Sequence, residues 1–208
     1  MIETEAAAKA FCAERCDDTA MDRLERFREI LVQENERQNL VAGKTLEIAW
    51  QRHFADSAQL LDHVSRETSS LLDLGTGAGF PGLVLAIMRP DWQTRLVESR
   101  RIRFEWLKRT ADALGLQNCK IEGMRLEKLV TFKTGAISAR AFAPLPKLLQ
   151  LSARFSTPST AWLLPKGRSA AQDLAELPAK HRKMFHVEQS VTDADAGIIV
   201  GKGRFSPS

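Results

Sequence analysis

The chain has 208 residues, of which 44% are hydrophobic and 27% charged, which is the balance of a folded globular protein. Its three cysteines, Cys12, Cys16 and Cys119, form no Cys-x-x-Cys pair, which argues against a disulfide framework and a metal site. No apolar run reaches the roughly 18 residues of a membrane helix, and the N-terminus lacks a signal-peptide pattern. We therefore expect a cytoplasmic protein that neither enters a membrane nor binds metal.

The net charge of +4 is unevenly distributed along the chain. Residues 1–70 carry 9 basic and 14 acidic side chains, whereas residues 71–208 carry 21 and 12. The excess of basic side chains in residues 71–208 favours a polyanionic partner such as nucleic acid, although a high isoelectric point also occurs in proteins that bind no anion. A polyanionic partner is therefore expected to bind residues 71–208.

The first 70 residues are predicted to form a helical extension. Two amphipathic stretches carry apolar residues at helical spacing, namely Leu24, Phe27, Ile30 and Leu31 in the first, and Trp50, Phe54, Ala58 and Leu61 in the second. The segment 39–43 (NLVAG) between them is typical of a helix end followed by a turn. The tryptophans are expected to be packing residues: Trp50, Trp92, Trp106 and Trp162.

Residues 71–208 are predicted to form an α/β domain that packs with the extension as one globular unit. Short apolar runs typical of strands lie at 71–74, 94–97, 120–122, 136–138, 162–164, 185–191 and 198–200. They alternate with helical stretches at 82–88, 102–114 and 147–155. This alternation predicts a doubly wound, mostly parallel sheet covered on both faces, with ligands at the carboxyl ends of its strands.

A glycine-rich loop follows the first predicted strand. Gly75, Gly77 and Gly79 stand at alternate positions between this strand and a helix. Glycine permits a tight turn and lets a ligand approach the backbone without a Cβ in the way. Asp73, at the strand end, is expected to attract a cationic group of the ligand. Glu98, at the end of the second strand, can accept hydrogen bonds from a ribose diol.

Two cofactors are compatible with this loop. The spacing Gly77-x-Gly79-x-x-Gly82 matches the dinucleotide fingerprint of an NAD(P)-dependent oxidoreductase. The carboxylate of Asp73 would repel a pyrophosphate but attract the ammonium group of S-adenosylmethionine, and Pro81 removes one N–H donor from the helix start. We therefore favour S-adenosylmethionine, with the dinucleotide and a purely structural turn as alternatives.

The loop also carries a specific resemblance. Its sequence Asp73–Leu83 (DLGTGAGFPGL) closely resembles the signature of the small-subunit rRNA methyltransferase G family, also called glucose-inhibited division protein B. Further segments follow in the family's order, from about residue 20 to residue 200: Asn39-Leu40, His53–Ser57, Leu96–Ser99 with Arg103, Ile137–Leu145 and Pro165–Gly167.

The resemblance implies a class I, S-adenosylmethionine-dependent methyltransferase that methylates N7 of a guanosine in the decoding-centre loop of bacterial 16S rRNA. By position, Gly75 and Phe80 should line the methionine and ribose end of the cofactor. Leu126 and Glu127 should contact the adenine, and Arg140 should lie between the cofactor and the incoming base. Gly77 and Glu98 complete the predicted cofactor-binding set.

Methylation of guanine N7 needs no general base, because N7 already carries a lone pair and no proton leaves. We therefore predict in-line transfer without a catalytic side chain, the barrier being lowered by proximity. A non-catalytic protein that binds S-adenosylmethionine or RNA remains an alternative, whereas the absence of tyrosine argues against an oxidoreductase. The roles of His53, Asp56 and Lys166 stay open between a functional contact and ordinary packing, and a monomer is expected.

Overall fold

A computed structural model describes residues 1–207, which begin with the predicted helical extension. This extension comprises α1 (Glu5–Ala13), α2 (Asp18–Asn35), a 3-10 turn (Gly43–Thr45), a π-helical turn (Trp50–Ala55), α3 (Asp56–Ala58) and a 3-10 helix (Gln59–His63). The carboxylate of Glu5 accepts from the backbone N–H groups of Trp50 and Gln51 at 3.0 and 2.8 Å, so it ties α1 to the π-helical turn.

A seven-stranded sheet follows. Its strands are β1 (Ser70–Leu74), β2 (Gln93–Val97), β3 (Cys119–Glu122), β4 (Ala136–Ala139), β5 (Ala161–Gly167), β6 (Phe185–Gln189) and β7 (Gly197–Lys202). They lie in the order β3-β2-β1-β4-β5-β7-β6, and β7 runs in the opposite direction to the other six strands. The predicted doubly wound, mostly parallel sheet is confirmed.

The helices of the α/β domain connect these strands. They are α4 (Gly82–Met88), α5 (Arg101–Ala113), α6 (Leu145–Ser152), α7 (Ala170–Ala175) and α8 (Ala179–Arg182). All residues of α4 are buried, because the helix lies between the sheet and the N-terminal extension. The register places Leu74 beside Val97 of β2 and Ala139 of β4, so the carboxyl ends of these three strands meet at one edge.

The extension shares one apolar core with the sheet. Leu24, Phe27 and Leu31 of α2 are fully buried in a cluster that includes Phe80 and Leu83. All four tryptophans are also buried, which confirms that they are packing residues. The extension is therefore in direct contact with the loop that follows β1.

Leu61 is only partly buried but packs against the same apolar cluster as Trp50, Phe54 and Ala58, as predicted, whereas Leu60 belongs to a separate cluster. One detail of the predicted elements was wrong. The strand predicted at 185–191 ends at Gln189, since the N–H of Val191 donates to Gln59 and its carbonyl accepts from Ile2. The extension thus takes the hydrogen bonds that would have continued the sheet.

Candidate active site

A cavity of about 510 Å³ opens at the carboxyl ends of β1, β2 and β4. We call it the strand-end cavity. Its wall includes every residue of the predicted cofactor-binding set: Gly75, Gly77, Phe80, Glu98, Leu126, Glu127 and Arg140. The fold therefore brings the seven residues together, and the contacts expected of each with a cofactor stay predictions.

The glycine loop forms the floor of the cavity between β1 and α4. Gly75 and Gly77 have φ angles of 65° and 60°, which L side chains rarely adopt. A Cβ at Gly75 would lie 2.7 Å from Cδ2 of Phe142, whereas a Cβ at Gly77 would meet nothing closer than 3.7 Å. Packing against Phe142 therefore requires glycine at position 75. At position 77 there is room for a side chain, and only the backbone angle favours glycine.

Glu98 connects the glycine loop to the end of β2. Its Oε2 accepts from the N–H of Gly77 at 3.1 Å, and its Oε1 accepts from the N–H of Arg100 at 2.8 Å. Because each carboxylate oxygen has two lone pairs, both oxygens can still accept a hydroxyl hydrogen bond. The carboxylate is thus held in place on the cavity wall and can receive a ribose diol.

Asp73 does not face the cavity, so the expectation that it attracts a cationic ligand group was wrong. Its side chain is fully buried, and its Oδ1 accepts from the hydroxyl of Ser138 on β4 at 2.6 Å. Burial raises the pKa of Asp73 to about 6, although the hydrogen bond from Ser138 opposes the shift. The side chain instead links β1 to β4 beneath the loop, because residues alternate between the two faces of a sheet.

Leu126 and Glu127 begin a 3-10 turn (Leu126–Lys128) on the cavity wall. The first N–H groups of a helical turn have no acceptor within the helix, so they can donate to a ligand. The carbonyl of Leu126 accepts from the Arg154 side chain, which holds this turn against the residues that follow α6. The exposed carboxylate of Glu127 can accept from an exocyclic amine.

Arg140 follows β4 and lies between two supports. Its guanidinium is 5.1 Å from the ring centroid of Phe80, and its Nη1 is 3.6 Å from Oδ2 of Asp56. Burial lowers the pKa of Arg140 from its ordinary value, and the carboxylates of Asp56 and Asp73 oppose that shift. The next residue, Ala141, has a φ of 55°, a conformation rare outside glycine that costs of order 1–3 kcal/mol.

The three residues whose roles were left open lie off the cavity wall. His53 is buried, stacks on Phe80 with centroids 4.9 Å apart, and has its Nε2 2.8 Å from the Thr45 hydroxyl. Lys166 pairs with a carboxylate of α7 at 3.2 Å and donates to the carbonyl of Ala143 at 3.4 Å. Asp56 reaches the cavity only through Arg140.

Several other residues of the wall were not predicted from the sequence. Among them are Met124, Arg125, Phe142 and Lys147. Phe142 belongs to the segment that resembles the family, but it meets Gly75 only because β1 and β4, which are far apart in sequence, are neighbours in the sheet. Within residues 1–207 no group of three or more His, Cys, Asp or Glu side chains could hold a metal ion. No helix among these residues is long and apolar enough to cross a membrane.

The fold of the chain is similar to the folds of solved methyltransferases. An S-adenosylmethionine-dependent methyltransferase from Aquifex aeolicus matches with a TM-score of 0.57 and 16% identity, covering 81% of this chain and 96% of the other. A ribosomal protein L11 methylase from Lactobacillus delbrueckii matches with a TM-score of 0.56 and 13% identity, covering 72% of this chain and 78% of the other. At such identities the likeness concerns the fold alone.

Sequence comparison is more specific. The chain is 62% identical to a ribosomal RNA small subunit methyltransferase G of Erythrobacter litoralis, covering 98% of this chain and 99% of the relative. It is 58% identical to the protein of that name from Novosphingobium aromaticivorans, over 97% and 89% of the two chains. The family model described as rRNA small subunit methyltransferase G matches residues 20–198. The chain therefore belongs to the rRNA small subunit methyltransferase G family and is an S-adenosylmethionine-dependent rRNA methyltransferase.

Proposed function

We propose that this protein methylates N7 of a guanosine in the decoding-centre loop of 16S rRNA and holds its cofactor in the strand-end cavity. The observation that carries the proposal is the convergence of seven predicted cofactor residues on one wall, at the strand ends where ligands of this fold class bind. We expect the protein to act as a monomer in the cytoplasm, where the small ribosomal subunit is found.

The donors and acceptors of the cavity fit S-adenosylmethionine. When bound, this cofactor supplies an electrophilic methyl group on a sulfonium centre. Gly75 and Phe80 are positioned to line its methionine and ribose end, and Glu98 is held to accept from the ribose hydroxyls. The free N–H groups at the start of the 3-10 turn, Leu126 and Glu127, suit the adenine. Arg140 lies near Phe80, where the target base would enter.

The chain needs no general base for this reaction. Guanine N7 attacks through an existing lone pair, so the role left to the protein is to orient the base and exclude water. His53 contacts the wall residue Phe80, but burial lowers its pKa to about 3, and it is not itself on the cavity wall. The arrangement therefore supports catalysis by positioning, without a proton-transfer residue.

Basic side chains around the cavity suit an RNA substrate. Five of them line the wall: Arg100, Arg103, Arg125, Arg140 and Lys147. Arg100, Arg125 and Lys147 are exposed, and none pairs with a carboxylate within residues 1–207. Cations that are not neutralised by the protein are available to phosphates. We infer that the rRNA backbone lies across this rim while the target base reaches into the cavity.

A transfer assay tests the proposal. The protein is incubated with labelled S-adenosylmethionine and small ribosomal subunits that lack their native modification, and the RNA is then digested to nucleosides and separated by mass. Label in 7-methylguanosine is the expected result. Label in another nucleoside would overturn the N7 assignment. Cofactor binding without transfer to any nucleoside would favour the non-catalytic alternative.

A further inference from the structure

Asp56 lies outside the strand-end cavity but contacts a residue of its wall. Its carboxylate belongs to α3 in the N-terminal extension, and its Oδ2 is 3.6 Å from Nη1 of Arg140. Both side chains are largely shielded from solvent, with 14% of the Asp56 side chain and 26% of the Arg140 side chain exposed. Shielding strengthens an ion pair, because water screens it less.

Two hydrogen bonds to Oδ1 orient the carboxylate of Asp56. Its Oδ1 accepts from Nε2 of Gln59 and from the hydroxyl of Thr192, both at 3.0 Å. The Oε1 of Gln59 accepts from the N–H of Val191 at 2.8 Å. Two segments that are distant in sequence, the extension and the connection between β6 and β7, therefore fix the orientation of this carboxylate.

The other support of Arg140 is a neutral aromatic surface. Phe80 lies 5.1 Å from the guanidinium and stacks on the ring of His53 at 4.9 Å. The hydroxyl of Thr45 donates to the carbonyl of Ala42 at 2.7 Å, so it must accept from Nε2 of His53. Burial lowers the pKa of His53 to about 3, so the ring is neutral near pH 7 and adds no second cation beside Arg140.

We propose that Asp56 is a positioning residue for Arg140, contributed to the active site by the N-terminal extension. An arginine side chain has many rotamers, and one oriented carboxylate partner restricts them before the ligand arrives. The proposal rests on the proposed role of Arg140 at the boundary between cofactor and base. It predicts that Asp56 affects ligand binding and transfer only through Arg140.

A double-mutant cycle tests this dependence. Asp56→Asn removes the charge but keeps an oxygen that can accept from Gln59 and Thr192. Its effect is measured in the natural background and with Arg140→Gln, using S-adenosylhomocysteine affinity by titration calorimetry, together with kcat and KM for transfer to small subunits. We expect about a tenfold loss of kcat/KM or affinity in the natural background and less than a twofold loss with Arg140→Gln, the signature of coupled neighbours.

A matched control is available in the same extension. Asp62 lies outside the cavity wall and pairs with Arg15 at a distance of 3.0 Å. Asp62→Asn should therefore change affinity and kcat/KM less than twofold.

Additive effects of Asp56→Asn and Arg140→Gln would overturn the proposal. A lower melting temperature for Asp56→Asn, with unchanged affinity and kcat/KM, would also overturn it. If Asp56→Asn fails to fold, Thr192→Val replaces it in the cycle, since it removes one donor to Oδ1 and leaves the charge in place.

Failure of the proposed function gives a different result. In that case the unmutated protein would leave 7-methylguanosine unlabelled, while the cycle on S-adenosylhomocysteine affinity could still be measured. If Asp56 and Arg140 were still coupled in that binding cycle, the positioning role would stand without the proposed function. If they were not coupled while transfer to N7 was normal, the proposed function would stand without the positioning role.

Discussion

The ring of Phe27 in α2 stacks on the ring of Phe80 in the glycine loop, with centroids 5.2 Å apart and planes inclined by 29°. Phe80 also lines the strand-end cavity, so one aromatic contact joins the N-terminal extension to the site. A Cβ at Gly79 would lie 2.8 Å from Cζ of Phe27, which shows how closely α2 covers this loop. The extension is therefore a structural part of the active site.

Truncation of Phe27 tests this contact. Phe27→Ala removes a fully buried ring and should lower the free energy of unfolding by about 3–5 kcal/mol. It should also weaken S-adenosylhomocysteine binding, because Phe80 loses its stacking partner. Urea unfolding and calorimetry measure the two effects. Val32→Ala, on the exposed side of the same helix, is the control and should lower stability only slightly. A loss for Phe27→Ala as small as that for Val32→Ala would contradict the packing argument.

Two glycine substitutions separate binding from stability. Gly77→Arg should abolish cofactor binding with only about 1–2 kcal/mol of backbone strain, because position 77 borders the cavity and its Cβ direction is open. Gly82→Ala should instead lower stability, since its Cβ would lie 2.3 Å from Cδ2 of Leu96. Thermal unfolding and titration with S-adenosylhomocysteine distinguish the two. Unchanged affinity in Gly77→Arg would contradict the placement of the cofactor.

Stability should depend on the ionisation of Asp73. Its pKa is raised by burial from 3.8 to about 6 in the folded protein. Between these values the unfolded chain releases the proton and the folded chain retains it, so the contribution of Asp73 to stability falls as pH rises. Relative to Asp73→Asn, the protein should lose about 2 kcal/mol of unfolding free energy from pH ~4 to ~7. A pH-independent difference in urea titrations would contradict this.

The contribution of His53 to stability should change with pH in the opposite direction. Burial lowers its pKa from 6.5 to about 3, with further lowering by Arg140 and Arg52. As pH falls below neutrality the unfolded chain gains a proton that the folded chain does not bind, so stability is lost. Relative to His53→Phe, the protein should lose about 3 kcal/mol from pH ~7 to ~4. A difference between the two proteins that does not change with pH would contradict this.

RNA binding should depend on salt through the exposed rim cations. Removal of one phosphate contact by Arg100→Ala, Arg125→Ala or Lys147→Ala should weaken binding to small subunits and reduce the slope of log K against log salt by about 0.7–1. Filter binding at several salt concentrations measures this slope. Lys9→Ala, in the extension, is the control. An unchanged slope in all three rim variants would place the RNA elsewhere.

The sequence predicted the class of fold and the wall of the cavity because both depend on local patterns. Apolar runs alternating with amphipathic stretches predict a parallel sheet, and its strand ends necessarily share one edge. Residues that follow strands, such as Gly75 and Glu98, could therefore be assigned to one site before their contacts were known. The resemblance to the family added Phe80, Leu126, Glu127 and Arg140.

Only the tertiary structure decided what surrounds these residues. Asp73 follows the same pattern as Glu98, yet it turns away from the cavity to bind Ser138, a partner 65 residues away. Thr192 donates to Asp56 across 136 residues, and this contact fixes the neighbour of Arg140. Sequence periodicity specifies which face of an element is apolar, but the direction of a polar side chain depends on partners that folding brings from distant segments.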